Sequence, residues 1–196
     1  PPAEPYQEVY FDNSGLTAVT GSEGEEITLP LMYKASDGAT TTGLGVEIYY
    51  DTSLLTAVAV EDQLAASMIT TSTLDLSDES NADSDGSTDK YIALNWADMF
   101  GTWAGGTDPI IVANIKFKVA EGADLTTAAT SIRLESSETA AGYNFYGQDL
   151  ILGVNNTSED FSRLITERLI IDDNLVLTPP AEPYQEVYFD NSGLTA

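Results

Sequence analysis

Ile110–Val119 reads IIVANIKFKV. Its apolar residues recur at every second position. Ile111, Ala113, Ile115, Phe117 and Val119 fall on one side, Lys116 and Lys118 on the other. A period of two is the signature of a strand with one buried and one solvated face. Outward from it the same rhythm returns. Glu26–Lys34 (EITLPLMYK) sets Ile27, Leu29, Leu31 and Tyr33 against Thr28 and Met32. Pro30 lacks a ladder donor, so this strand is expected at an edge or with a bulge. Gly43–Asp51 places Leu44, Val46, Ile48 and Tyr50 inward, and Tyr91–Ala97 does so with Ile92, Leu94 and Trp96. Tyr6–Phe11 (YQEVYF) alternates Val9 and Phe11 against Glu8 and Tyr10.

Shorter strands are expected at Leu54–Val60, Ser131–Glu135, Arg168–Asp172 and Asn174–Leu177. Gly142–Gly153 gathers aromatic and aliphatic residues around Gly147. Glu61–Met68 reads as a short helical turn. Thr70–Lys90 is polar, acidic and aperiodic, and reads as the longest loop. No stretch has the period of a long amphipathic helix. Some nine or ten short strands between turn signals define an all-β chain. The expected architecture is a jelly-roll or immunoglobulin-like β-sandwich of about nine strands, which buries sheets that are apolar on one face only.

Pro1–Ala18 and Pro179–Ala196 are identical, both PPAEPYQEVYFDNSGLTA. Repetition at a fixed spacing, here 178 residues (179 − 1), is the mark of a tandem array. The prolines of PPAEP favour an extended, semi-rigid joint. The expected layout is a linker over 1–5, one sandwich over 6–178, and a linker with the next unit's first strand over 179–196. Inter-repeat contacts are expected at Tyr6, Val9 and Phe11 and at their counterparts Tyr184, Val187 and Phe189. Two architectures fit. In one, Tyr184–Phe189 opens the next bead. In the other it fills a sheet edge of a neighbouring unit.

Charge narrows the partners. Thirty-two acidic residues stand against seven basic ones, a formal net charge of −25. Such a surface repels nucleic acid and anionic membranes, and no apolar run reaches the roughly 20 residues of a membrane helix. The chain has no cysteine and no histidine. Disulfides, thiolate metal sites and histidine general bases are therefore excluded. Paired carboxylates are plentiful, but nothing singles out two of them, and no phosphate-cradling glycine loop is present. The chain is read as a non-enzyme.

The acidic surface suits hard cations. Asn81, Asp83, Asp85, Thr88 and Asp89 set oxygen donors at near-alternate positions around Gly86, as in a Ca²⁺ loop. Ile92 occupies the place of the closing glutamate of an EF-hand, so a weaker Ca²⁺ site is expected, completed by Asp75, Asp78 or Glu79. Asp98, Asp108 and Asp172/Asp173 are read as turn residues in preference to ligands. Trp96, Phe100 and Trp103, and Tyr143, Phe145 and Tyr146, are read as core or contact residues in preference to a sugar platform. Asn155–Ser158 (NNTS) contains overlapping glycosylation acceptors.

The run GSEGEEITLPLMYK (Gly21–Lys34), followed by GLGVEIYYDTSLLTAVAVED (Gly43–Asp62), resembles the cohesin-like module. Tyr50, Asp51, Leu54 and Leu55 stand at its Tyr-Asp-x-x-x-Leu element. DPIIVANIKFKVAEGA (Asp108–Ala123) resembles its Ile-x-Phe-x-Val strand and glycine turn. The resemblance covers roughly Leu16 to Leu134. It implies a non-enzymatic module of secreted bacterial proteins that binds a partner module or serves as a spacer. With the duplicated end, the expected function is a structural repeat of an extracellular filament, surface layer or adhesin stalk, rigidified by Ca²⁺ and linked by strand sharing to neighbouring copies. The alternative is a binding module that captures a dockerin-like domain or a glycan at the cell surface.

Overall fold

A computed structural model describes residues 4–13, 21–65 and 69–153, and residues 164–170 as backbone. Ten strands are present among them and no helix. They are β1 (Tyr6–Phe11), β2 (Glu26–Ala35), β3 (Gly43–Tyr50), β4 (Leu55–Glu61), β5 (Ile69–Ser77), β6 (Lys90–Ala97), β7 (Ile110–Val119), β8 (Ala129–Glu138), β9 (Asn144–Gly153) and β10 (Leu164–Ile170). Hydrogen bonding runs in the order β4-β7-β2-β1-β9-β8-β3-β6-β5, with β10 against β9. The path folds into two layers, β4-β7-β2-β1-β9 and β8-β3-β6-β5. β8 belongs to both: Ala129–Ile132 pair with β9, whereas Arg133–Glu138 pair with β3. The all-β sandwich expected from the alternation is the fold observed.

The inward residues of both layers form one core. Ile27, Leu29, Leu31 and Tyr33 of β2 and Leu44, Val46, Ile48 and Tyr50 of β3 are all buried, as their alternation dictates. Aromatic side chains bridge the layers: Tyr50 meets Phe117 edge-on at 5.3 Å, and Trp103 packs on Tyr33 at 4.4 Å and on Trp96 at 5.6 Å. Such pairs contribute about 0.5–1.5 kcal/mol each beyond the area they bury.

β1 lies inside its sheet, antiparallel to β2 and parallel to β9. Val9 and Phe11 enter the core, and so does Gln7. The Gln7 amide nitrogen lies 3.1 Å from the Tyr33 hydroxyl, 3.3 Å from Thr41 Oγ1 and 3.0 Å from the Gly43 carbonyl. Its oxygen accepts the Ala140 N–H at 2.8 Å. A buried amide costs a few kcal/mol unless it is bonded, and here both ends are held.

β9 has two edges and three partners. β10 pairs with Phe145–Ile151, overlapping the β1 contacts at 145–147 and the β8 contacts at 150–151. β10 must therefore line one edge, and β1 and β8 share the other in succession.

Several expectations are corrected. Ile111 does not face the core; it is 50% exposed, and Val112 is buried instead. The register steps from Leu31↔Ala113 to Met32↔Ile111, so Val112 is the extra residue of a bulge and the alternation inverts there. Of the two readings for Pro30, the edge is not observed, since β2 lies between β7 and β1, but the bulge is, in the β2–β7 pairing at Leu31/Met32 beside it. Its carbonyl accepts from Asp12 N, so its nitrogen also points beyond the end of β1, where the missing donor costs little. Thr70–Lys90 is only partly loop: β5 occupies its first half. Glu61 ends β4 and 62–65 continue without a helical turn; 66–68 lie outside the described residues. Of the two expected C-terminal strands, β10 begins four residues before Arg168, and Asn174–Leu177 lies outside the described residues.

The bulge is testable by substitution. Leu29→Ala is expected to cost about 2–5 kcal/mol and Ile111→Ala less than about 0.5 kcal/mol in urea unfolding. Equal costs would place Ile111 back in the core.

Candidate functional site

The acidic loop between β5 and β6 is tied to the sandwich by one arginine. Arg133 of β8 lies 3.8 Å from Asp83, 3.5 Å from Asp85 and 3.5 Å from Asp149 of β9. Asp83 is buried and accepts from the Thr88 hydroxyl at 2.7 Å and from Asp85 N at 3.1 Å. Asp85 accepts from Ser87 N and Oγ and from the Ser131 hydroxyl at 2.9 Å. Burial pushes the Asp85 carboxyl up, but these donors and the Arg133 charge outweigh it and hold the pKa at about 2. Asp89 accepts from Thr52 N and Oγ1. Asn81 is exposed, with a left-handed φ of 51°.

The oxygens singled out as Ca²⁺ ligands thus face different partners. Asp83 and Asp85 turn to Arg133, Thr88 turns to Asp83, and Asp89 turns to Thr52. Among the described residues no three acidic side chains gather as a metal-holding group. Asp75 accepts from the Tyr50 hydroxyl and Asp78 from Ala82 N. Asp98 is an N–H acceptor for Phe100 and Thr102, closing the turn after β6. Asp172 and Asp173 lie outside the described residues.

Beside Arg133 stand two carboxyls that sequence reading missed. Glu135 is raised to about 7, first by burial and then by Asp149. Asp149 is raised to about 6 by burial, against the Leu134 N–H it accepts at 3.0 Å. The available signal was Arg133 itself, because an arginine within a strand of so acidic a chain must be paired.

The outer faces of the two layers differ in charge. The β4-β7-β2-β1-β9 layer carries ion pairs, Lys34 to Glu8 and Lys116 to Glu61, both at 2.9 Å. On the other layer, β5 and β6 form a strip whose charged pair, Lys90 and Asp75 at 3.8 Å, sits at the end away from Ile69 and Ala97. Its cross-strand rows are Ile69↔Ala97, Thr71↔Asn95, Thr73↔Ala93 and Leu76↔Tyr91. Tyr91 stacks on Tyr49 of β3 at 5.0 Å and 27°. Gly45 keeps the next column flat, since a Cβ there would come within 2.3 Å of Ser137 Oγ. At one end of the strip the Asp98 turn presents Met99 and Phe100, 78% and 76% exposed, close to Ile69 at 57%.

The expected aromatic groups separate accordingly. Trp96, Trp103 and Phe145 are core, Tyr143 donates to Asp37, Tyr146 packs edge-on against Tyr6, and only Phe100 is well exposed. Of the expected inter-repeat residues, Tyr6, Val9 and Phe11 are built into β1. Tyr184, Val187 and Phe189 lie outside the described residues, as do Asn155–Ser158.

No protein-family model matches the chain, and no curated protein sequence matches it. Solved structures do. The third cohesin of ScaC from Acetivibrio cellulolyticus, in complex with the ScaB dockerin, aligns at a TM-score of 0.53 and 14% identity, over 76% of this chain and 98% of that one. The seventh ScaB type I cohesin from Pseudobacteroides cellulosolvens aligns at 0.45 and 13%, over 92% and 99%. A type III cohesin module of the ScaE cell-surface anchoring scaffoldin of Ruminococcus flavefaciens aligns at 0.44 and 12%, over 81% and 77%. The chain has the cohesin-like β-sandwich fold. No helix among the described residues is long and apolar enough to cross a membrane.

The raised carboxyls fix a pH dependence. Glu135 and Asp149 bind protons more tightly when folded than unfolded, so their contribution is full below about pH 4 and is lost as pH rises through about 6–7. Asp85, held near 2, acts oppositely and loses its contribution only as pH falls below about 4. Urea stability is expected to peak near pH 4, to fall by about 1–2 kcal/mol between about pH 4 and 7, after discounting for partial exposure, and to level off above. Glu135→Gln should flatten that fall; an unchanged profile would count against the assignment. Arg133→Met should cost about 3 kcal/mol at pH 7, because it leaves buried carboxylates without their cation.

Proposed function

We propose that this chain is a non-catalytic binding module of an extracellular bacterial protein and that it captures a partner domain of the dockerin type. The half of the β5–β6 strip that bears no charge, Ile69–Thr73 against Ala93–Ala97, with Met99 and Phe100 at its end, carries the reading. Protein interfaces deplete charge at their centre and anchor on a few large apolar side chains. On a chain of net charge −25, the half of this strip from Ile69 to Thr73, away from the Asp75–Lys90 pair, is where a partner docks while desolvating few carboxylates. The Asp98 hydrogen bonds hold Met99 and Phe100 in place before binding, which lowers the ordering cost. The dockerin bound to the ScaC cohesin supplies the partner class.

Surface plasmon resonance against dockerin-type domains of the same organism tests it. Phe100→Ala and Ala93→Arg are each expected to weaken binding at least tenfold, whereas Lys116→Ala on the opposite layer should not. Equal effects from both layers, or no binding by any such domain, would overturn the assignment.

A second reading is favoured by the identical ends. The sandwich is one repeat of a tandem array, in which the module serves as the structural unit of a filament, surface layer or adhesin stalk. The native polypeptide, weighed under full denaturation, is expected to be many times 21.0 kDa. A species near 21.0 kDa would refute a covalent array. Ca²⁺ belongs to this reading only through the charge of the Asp78–Asp89 loop.

A further inference from the structure

The buried contacts that hold β1 in its slot reside in Pro5–Asp12, with Glu4 adding an exposed bond from Asn144 at 3.5 Å. The Pro5 carbonyl accepts Asn144 N, Tyr6 exchanges bonds with Ser36, and Asp12 N donates to the Pro30 carbonyl. Gln7 makes the four buried contacts described above. Glu8 meets Lys34 at 2.9 Å and Gln148 at 2.8 Å. Val9 and Phe11 fill the core. This contact set is selective. A strand that lacks glutamine at the second position leaves the Ala140 N–H, the Gly43 carbonyl and two hydroxyls buried without their partner.

Pro183–Asp190 repeats the set residue for residue, with Gln185, Glu186, Val187 and Phe189 at the corresponding positions. The route back to the slot is short. β10 ends at Ile170 opposite Phe145, and the slot begins where Tyr6 lies opposite Asn144, at the same end of β9. The two positions flank β9, so they are separated by about two strand spacings, roughly 10 Å. Thirteen residues, 171–183, connect them, with a reach of about 43 Å when extended.

We propose that Pro183–Asp190 is a second β1 for the same sheet. The slot between β2 and β9 accepts either the N-terminal strand or its C-terminal duplicate from the same chain. The two strands offer identical contacts, and each is tethered, so neither has a decisive advantage in effective concentration. Within the single chain this needs no array. In an array, which rests on the second reading above, the consequence is a register choice. If sandwiches are closed by the strand that follows them, the first unit's own strand is left free at one end, and a last unit with no strand after it keeps an open slot. Two arrays then join end to end through the chemistry that closes each unit.

The full chain supplies the test. Val9→Asp disables the first strand, Val187→Asp the second, and the pair disables both. Val9→Asp is expected to keep a cooperative melt within a few degrees of the parent and to remain monomeric by light scattering. Val187→Asp should melt like the parent, and the double variant should lose the cooperative transition. Since the chain has no cysteine, Met32→Cys with Tyr188→Cys in the Val9→Asp background is expected to form an intramolecular disulfide, because Met32 lies opposite Tyr10, the counterpart of Tyr188. Melting of Val9→Asp like the double variant, or absence of the disulfide, would overturn strand replacement. Disulfide-linked dimers and ladders would overturn its same-chain form. None of these results depends on dockerin binding or on the mass of the native polypeptide.

Discussion

The structure depends on one buried amide. Gln7 reaches Tyr33 in one layer, the Gly43 carbonyl at the start of a strand in the other, and the Ala140 N–H ahead of β9. The apolar core is non-directional and tolerates sliding. A dry, fully bonded polar group does not, because each partner left unmatched costs a few kcal/mol. Gln7 thereby sets the register of β1, the approach of the two layers and the loop that delivers β9. Its position is defined by hydrogen-bond geometry, whereas that of Val9 and Phe11 is defined only by volume.

Around that fixed frame the charges are sorted. A chain with so few cations has to place them with care. Two lysines neutralise glutamates on the outside of one layer, and Arg133 gathers Asp83, Asp85 and Asp149 at the edge of the other. The acidic loop is thus held back against the sandwich, and the Ile69–Thr73 half of the β5–β6 strip carries no carboxylate of its own; Asp75, at the other half, is paired with Lys90. The electrostatic frame and the proposed docking face are two results of one distribution.

What was legible in the sequence follows from the same physics. Period-two alternation located β2, β3, β6 and most of β7, because burial on one face leaves that trace. It missed β5, an edge strand whose Thr and Ser side chains meet water on much of both faces and so carry no contrast. It misplaced Ile111, because a bulge is a property of the pairing of two strands and leaves no mark on one of them. The Asp83–Asp89 oxygens were visible, but their direction was not. Thr88, Ser87 and Ser131 donate to Asp83 and Asp85, Thr52 donates to Asp89, and Arg133, 44 residues beyond Asp89, is the cation that Asp83 and Asp85 face. Gln7 carried no mark of its role in the YQEVYF alternation, since its four partners come from three separate segments, at Tyr33, at Thr41 and Gly43, and at Ala140.

The chain enters the sandwich at Tyr6 and leaves β10 at Ile170, both at the start of β9. This sets the mechanics of any array built from it. Tension applied through those two points pulls on one end of the sheet. Hydrogen bonds would then break one after another, as in a zip, and not together in shear, so little force opens a unit. The sandwich also adds little to the contour between joints. Sandwiches hang from such a tether as pendants, and the span per unit is set by the linker between Ile170 and the next Tyr6 equivalent. An object of that kind would display many copies of one face along its length.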